Sequence, residues 1–141
     1  MDYRYDNRHE YNLKNACEEY GFIAPPHFWR QSNKRLLNFW NGIGSEGDWF
    51  NLFIPETIYF INVSLASLVH DEMFALGVGR KEFHLANLYF LYNMNQIIKR
   101  HSLNELTKTL RYLRSNKYYI AVESDAGWEA YIKGKPYEIR F

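Results

Sequence analysis

"LASLVHDEMFALGVG", residues 65–79, decides how the chain is read. Apolar residues recur through it at helical spacing and Gly77-Val78-Gly79 closes it, so it predicts a helix that starts at Ser64 as its cap, reaches Leu76 and gives way to a tight turn. Into this apolar run the sequence sets His70 and Asp71, adjacent groups that are costly to bury. Neighbours on a helix lie about 100° apart, so the two side chains are expected to face different directions and not to form an ordinary ion pair. His70 shares a stripe with Ala66, Met73 and Phe74, whereas Asp71 lies with Ser64 and Ser67. Two readings stand at this point: a satisfied structural pair, or an imidazole that takes a proton beside a carboxylate that holds a cation.

Beyond the turn, a helix from Lys81 to about Arg100 returns along the first. His70 is seven residues before Gly77 and Asn87 is eight after Gly79, so antiparallel packing sets them at nearly the same height. A buried histidine acting as a base needs a partner that fixes which nitrogen carries its proton, and the Asn87 carbonyl oxygen is placed to be one. Unlike a carboxylate, it brings no charge to stabilise an imidazolium. Ser102 with Glu105 matches a capping box, predicting a further helix to about Ser124, and the tail 134–141 reads as loose.

Upstream, a short helix from about Glu10 to Tyr20 stops at Gly21. In "APPHFWRQSNKRLLNFW", residues 24–40, Pro25 and Pro26 suit the start of a second helix. Its apolar side carries Trp29, Leu36, Leu37 and Trp40, and its basic side Arg30, Lys34 and Arg35. Such a helix buries its aromatic stripe in the core or docks on lipid, with Phe28 or Trp29 at the boundary and the basic residues near phosphate. Residues 41–62, "NGIGSEGDWFNLFIPETIYFIN", read as an ordered loop with one short extended stretch. A loop of that length needs a reason to stay ordered, and a ligand or metal supplies one.

The 141 residues, 47% hydrophobic, suit one domain with a real core. The net charge of +1 and the lack of a Lys/Arg block exclude bulk nucleic-acid binding as an expectation. The lone cysteine, Cys17, excludes an internal disulfide framework and reads as a small core residue. The polar opening "MDYRYDNRHE" is not that of a signal peptide, and no stretch has the length of a membrane span. Oligomeric state is not legible. The expected fold is mainly α: a small helical domain over 1–141, with two long antiparallel helices carrying the site and a glycine-rich metal-binding loop.

"WNGIGSEGD", residues 40–48, contains G-x-G-x-x-G, but a dinucleotide site needs a strand before it and a helix starting within it. Here a helix precedes and "DWFNLFIPE" follows. Closely spaced glycines also allow main-chain carbonyls to turn inward onto a hard cation such as Ca²⁺, with Asp71 completing the set; an ordinary turn-rich loop is the other reading. Ser45 lacks a nucleophile elbow, and His70, Asp71 and His84 lack transition-metal spacing. His9, His27 and His101 read as solvated.

"WNGIGS", "VHDEMF" and "LANLYF" together resemble the Y-C-G-x-G-G loop, H-D-x-x-Y helix and A-D-x-x-F helix of phospholipase A2. The likeness covers about residues 36–98 and is nearest in style to the disulfide-free forms of parvovirus capsid and prophage-encoded proteins, with a weaker echo in "LRSNKYYIAVE", residues 113–123. The resemblance implies that the carbonyls of Trp40, Gly42 and Gly44 and the carboxylate of Asp71 bind Ca²⁺. It implies that His70, partnered by Asn87, activates water to cleave the sn-2 ester of a phospholipid, in a cytoplasmic or virion-associated protein of a bacterium or phage. Three departures accompany it: Asn41 stands in a cysteine position, Met73 in the tyrosine position, and Asn87 where the family has an aspartate. The last gives a second expectation, a binding or virion-associated protein that retains the scaffold without activity.

Overall fold

A computed structural model describes residues 12–42, 57, 58, 61–133 and 135. Among them are seven helices and one two-stranded ribbon, so the chain is mainly helical as expected. No described helix is long and apolar enough to cross a membrane.

Helix α1, Asn12–Glu19, ends as its glycine predicts. Gly21 takes φ 74, while the Phe22 and Gly21 amides close back on the Cys17 and Glu18 carbonyls, both at 2.9 Å. This 6→1 and 5→2 pair needs a left-handed residue between its donors. Asn93 holds the following segment, its Oδ1 accepting from the Ile23 amide and its Nδ2 donating to the Ile23 carbonyl, each at 2.9 Å. Cys17 is fully buried, and burial pushes its thiol up to about 12, which makes it the inert core residue the sequence suggested.

The single helix expected after the two prolines is two: α2, Pro26–Arg30, and α3, Asn33–Gly42. The chain breaks at Gln31-Ser32 because Ser32 Oγ accepts from the Arg35 amide at 3.1 Å, supplying a new helix start. Asn41 and Gly42 belong to α3 and not to a loop. Residues 43–56, with Gly44 and the rest of the proposed metal loop, lie outside the described residues. Beyond them, β1 (Thr57–Ile58) pairs antiparallel with β2 (Ile61–Asn62), setting Ile58 against Ile61.

Helix α4 spans Ser64–Leu76 as read, but Ser64 is not its cap: the Ser64 amide donates to Asn62 Oδ1 at 2.7 Å. Gly77 and Val78 join α4 to α5, Gly79–His101, where Gly79 takes φ 84. Near the turn Phe74 meets Phe83 at 5.8 Å between centroids, and further out His70 meets Asn87. Lys135 secures the end of α4, its Nζ donating to the Phe74 and Gly77 carbonyls at 2.6 and 2.8 Å.

Helix α6, Glu105–Glu123, starts two residues later than a box on Ser102 requires. Asn104 Oδ1 accepts from the Thr107 amide at 2.8 Å, and Ser102 Oγ is taken by Arg111 at 3.0 Å. Ser124 then caps α7, Asp125–Ile132, an element the sequence reading missed. Phe28, Leu36, Leu68, Phe90, Met94 and Ile98 fill the main core, each burial contributing about 1.5–3 kcal/mol. A smaller cluster of Phe83, Trp128, Tyr131 and Ile132 seals the α4–α5 turn.

Candidate functional site

The site grows from the facing sides of α4 and α5. His70 is fully buried, its ring 4.0 Å from Phe74 and 4.9 Å from Phe90 between centroids. Its Nε2 lies 2.7 Å from Asn87 Oδ1, the contact expected from the two residues' distances to the turn. Asn87, also fully buried, places its Nδ2 3.2 Å from the Val122 carbonyl and 3.1 Å from Glu123 Oε1. Both neighbours only accept, so the amide nitrogen must face them and its oxygen must face the imidazole. That oxygen accepts in turn, so the His70 proton sits on Nε2 and the lone pair on Nδ1.

Nδ1 looks toward Asp71, with Oδ1 at 3.9 Å. Adjacent helical residues were expected to diverge; their side chains instead swing together, although the gap is too long for a direct hydrogen bond. The Asp71 side chain is 25% exposed, and burial holds its carboxyl above the ordinary 3.8, with His70 pulling the other way.

The end of α3 is tied to the same side of α4. Trp40 Nε1 donates to Ser67 Oγ at 3.0 Å, and Ser67 Oγ donates to the Ser64 carbonyl at 2.6 Å. Asp71 lies one turn beyond Ser67, so Trp40 meets the polar stripe that the sequence assigned to the carboxylate. Trp40 and Gly42 stand in the last turn of α3. Among the described residues no three His, Cys, Asp or Glu side chains gather as a metal cluster.

Two polar groups that matter were not found by sequence reasoning. Glu123 orients Asn87, and its Oε2 meets His84 Nδ1 at 2.7 Å, so a chain His70–Asn87–Glu123–His84 runs from the core to a half-exposed imidazole. Glu72, fully buried, meets His27 Nδ1 at 2.9 Å and Gln31 Nε2 at 3.5 Å, tying α2 to α4. Its carboxyl is held above the ordinary 4.5 by burial, with His27 opposing. His27, read as solvated, is 43% exposed and also engaged by Glu72, and His101 is exposed as read while meeting Tyr20 at 2.6 Å.

The lipid-docking set divides. Phe28 is fully buried and stands edge-on to Trp29, itself packed on the core, so Phe28 drops out and Trp29 is mainly a packing residue. Arg30, Lys34 and Arg35 are exposed. Comparison with known proteins gives no matching family model, no matching curated protein and no matching solved structure.

Proposed function

We propose that the chain is a phospholipase A2-like ester hydrolase in which His70 is the general base. The observation that carries this reading is the Asn87 amide, which, held by Glu123 and Val122, presents its oxygen to His70 Nε2 at 2.7 Å and so keeps the Nδ1 lone pair for a proton. In this reading two long antiparallel helices carry the site, and the end of α3 with the glycine-rich segment 43–48 completes it. Asp71 and the carbonyls of Trp40, Gly42 and Gly44 would hold Ca²⁺. The partly buried Asp71 fits that role, since a cation offsets the desolvation its carboxyl suffers. When bound, the ion would polarise the ester carbonyl and stabilise the oxyanion.

His70 removes a proton from water at Nδ1 as that water attacks the sn-2 ester carbonyl, and later returns the proton to the leaving alcohol. Asn87 fixes the tautomer but adds no charge, so the imidazolium is less stabilised than beside a carboxylate and turnover is slow. The substrate is a phospholipid at a membrane surface.

A second reading is a binding or virion-associated protein that keeps the scaffold without turnover. The full burial of His70 between Phe74 and Phe90 favours it, because a general base must be reached by water. Fatty-acid release from mixed phospholipid vesicles in Ca²⁺ decides between them. Release that His70→Gln and chelation both abolish supports the hydrolase. Ca²⁺ binding by calorimetry without release supports the second reading, and neither binding nor release removes both.

A further inference from the structure

Helix α6 is oriented against its own hydrophobicity. Its buried stripe is Arg111, Ser115, Tyr118 and Val122. Arg111 donates to the His101 carbonyl at 3.2 Å and to Ser102 Oγ at 3.0 Å, and Ser115 Oγ donates to Asn95 Oδ1 at 2.7 Å. On the far side Leu106, Leu110, Leu113 and Ile120 are 71, 43, 56 and 66% exposed, with Leu103, 99% exposed, just ahead of the cap Asn104. At 100° per residue the two stripes are about 155° apart. A helix that turns arginine and serine inward and four branched aliphatics outward presents a contiguous apolar face of the kind partners cover.

The spacing of that face identifies the partner class. Residues 106, 110, 113, 117 and 120 follow one another at intervals of four and three, a heptad seam with 110 and 117 in a and 106, 113 and 120 in d. The buried residues fall at b and f, away from the seam. Lys117 alone interrupts it.

We propose that this face joins two copies of the chain, with the α6 helices antiparallel about a two-fold axis midway between residues 111 and 112. Each a residue then meets a d residue: Leu110 meets Leu113 of the partner subunit, Lys117 meets Leu106 of the partner subunit, and Leu103 meets Ile120 of the partner subunit. A parallel pair would set Lys117 against Lys117 of the partner subunit, like charges in an apolar seam. Antiparallel, the Lys117 stem covers Leu106 of the partner subunit and its ammonium reaches Glu105 of the partner subunit. Glu105 is 86% exposed and open to a further cation beside Lys108. Along the flanks Thr107, Thr109 and Asn116 are uncharged, and because an antiparallel pair sets e against e and g against g, Arg114 falls beside Thr107 of the partner subunit and no like charges meet.

Sedimentation equilibrium of the full chain over a range of concentrations tests this. The expected mass is twice 17.0 kDa, falling to 17.0 kDa for Leu110→Glu/Leu113→Glu with helical content unchanged, since both sites are exposed in the single chain, and with a melting temperature that no longer depends on concentration. Lys117→Glu is expected to weaken association about two- to fivefold and Glu105→Lys in the same chain to restore it. Oxidising a mixture of Leu103→Cys and Ile120→Cys chains is expected to give the mixed cross-link. A wild-type mass of 17.0 kDa at every concentration overturns the proposal, whether or not that chain sediments with anionic phospholipid vesicles. So does a dimer that survives the double glutamate variant, or cross-linking of Leu103→Cys chains to one another.

Discussion

Replacing Asn87 by aspartate puts the residue of the phospholipase A2 pattern in this position, yet the network around it makes the change harmful. The new carboxylate loses both donations of the Asn87 amide, to the Val122 carbonyl at 3.2 Å and to Glu123 Oε1 at 3.1 Å. Leaving the Val122 carbonyl unsatisfied costs about 1–3 kcal/mol. Two carboxylates about 3 Å apart would repel by about 5.5 kcal/mol at the effective dielectric of a near-surface pair. Glu123 is 20% exposed, so part of that is screened, and attraction to a protonated His70 offsets more. A net loss of about 3 kcal/mol at neutral pH follows.

Two carboxyls in one site share a proton, which raises one folded-state pKa above its unfolded value. The deficit is therefore absent below the ordinary carboxylate range and grows as pH rises through the raised value. Glu123→Gln in the same chain supplies a donor where repulsion stood and should recover about 1–2 kcal/mol, a coupling that a double-mutant cycle isolates. Urea unfolding of the four proteins between acid and neutral pH measures all of this. An aspartate variant as stable as the parent at neutral pH, or one that Glu123→Gln fails to rescue, would refute the orientation assigned to Asn87 and hence the His70 tautomer.

Gly127→Ala should destabilise by about 1–3 kcal/mol in thermal unfolding, because a Cβ there collides with the Val122 carbonyl that anchors Asn87. The same variant should disturb the ¹⁵N shifts of His70, which distinguishes a loosened Asn87 from a local clash. Asp71 and Glu72 both have carboxyls raised by burial above 3.8 and 4.5. The unfolded chain gives up those protons first, so melting temperature should fall as pH rises from about 4 through the folded values, and fall less for Glu72→Gln. If Asp71 holds Ca²⁺, stabilisation by the ion should be small near pH 4 and grow through the same window. It should reach about 1.4 kcal/mol at ten times Kd and vanish in Asp71→Asn.

The parts of the fold that the sequence discloses are those set by local rules. Apolar periodicity places α4 and the glycines after Leu76 end it, and counting out from the turn is enough to bring His70 to Asn87, since both helices advance at a fixed rise. The missed parts depend on competition. Two N-caps, at Ser32 and Asn104, prevail over a continuous helix and over a capping box because a short side chain satisfies a free amide locally, and Ser102 is drawn off by Arg111. Glu123 bears on Asn87 across 36 residues, a separation that no periodicity reports.

Helix α6 fails the inside-out rule for a different reason. Periodicity finds the apolar stripe of a helix but not what it faces, and the usual step from apolar to buried assumes that the chain's own core is the only cover available. Here α5 offers α6 polar partners, Asn95 for Ser115 and the carbonyl of His101 for Arg111, and the chain binds them in preference to burying the leucines. Such an exchange leaves branched aliphatics in water in a lone chain and becomes favourable once a second surface covers them. The orientation of α6 is therefore itself an argument for association, independent of whether His70 ever meets a substrate.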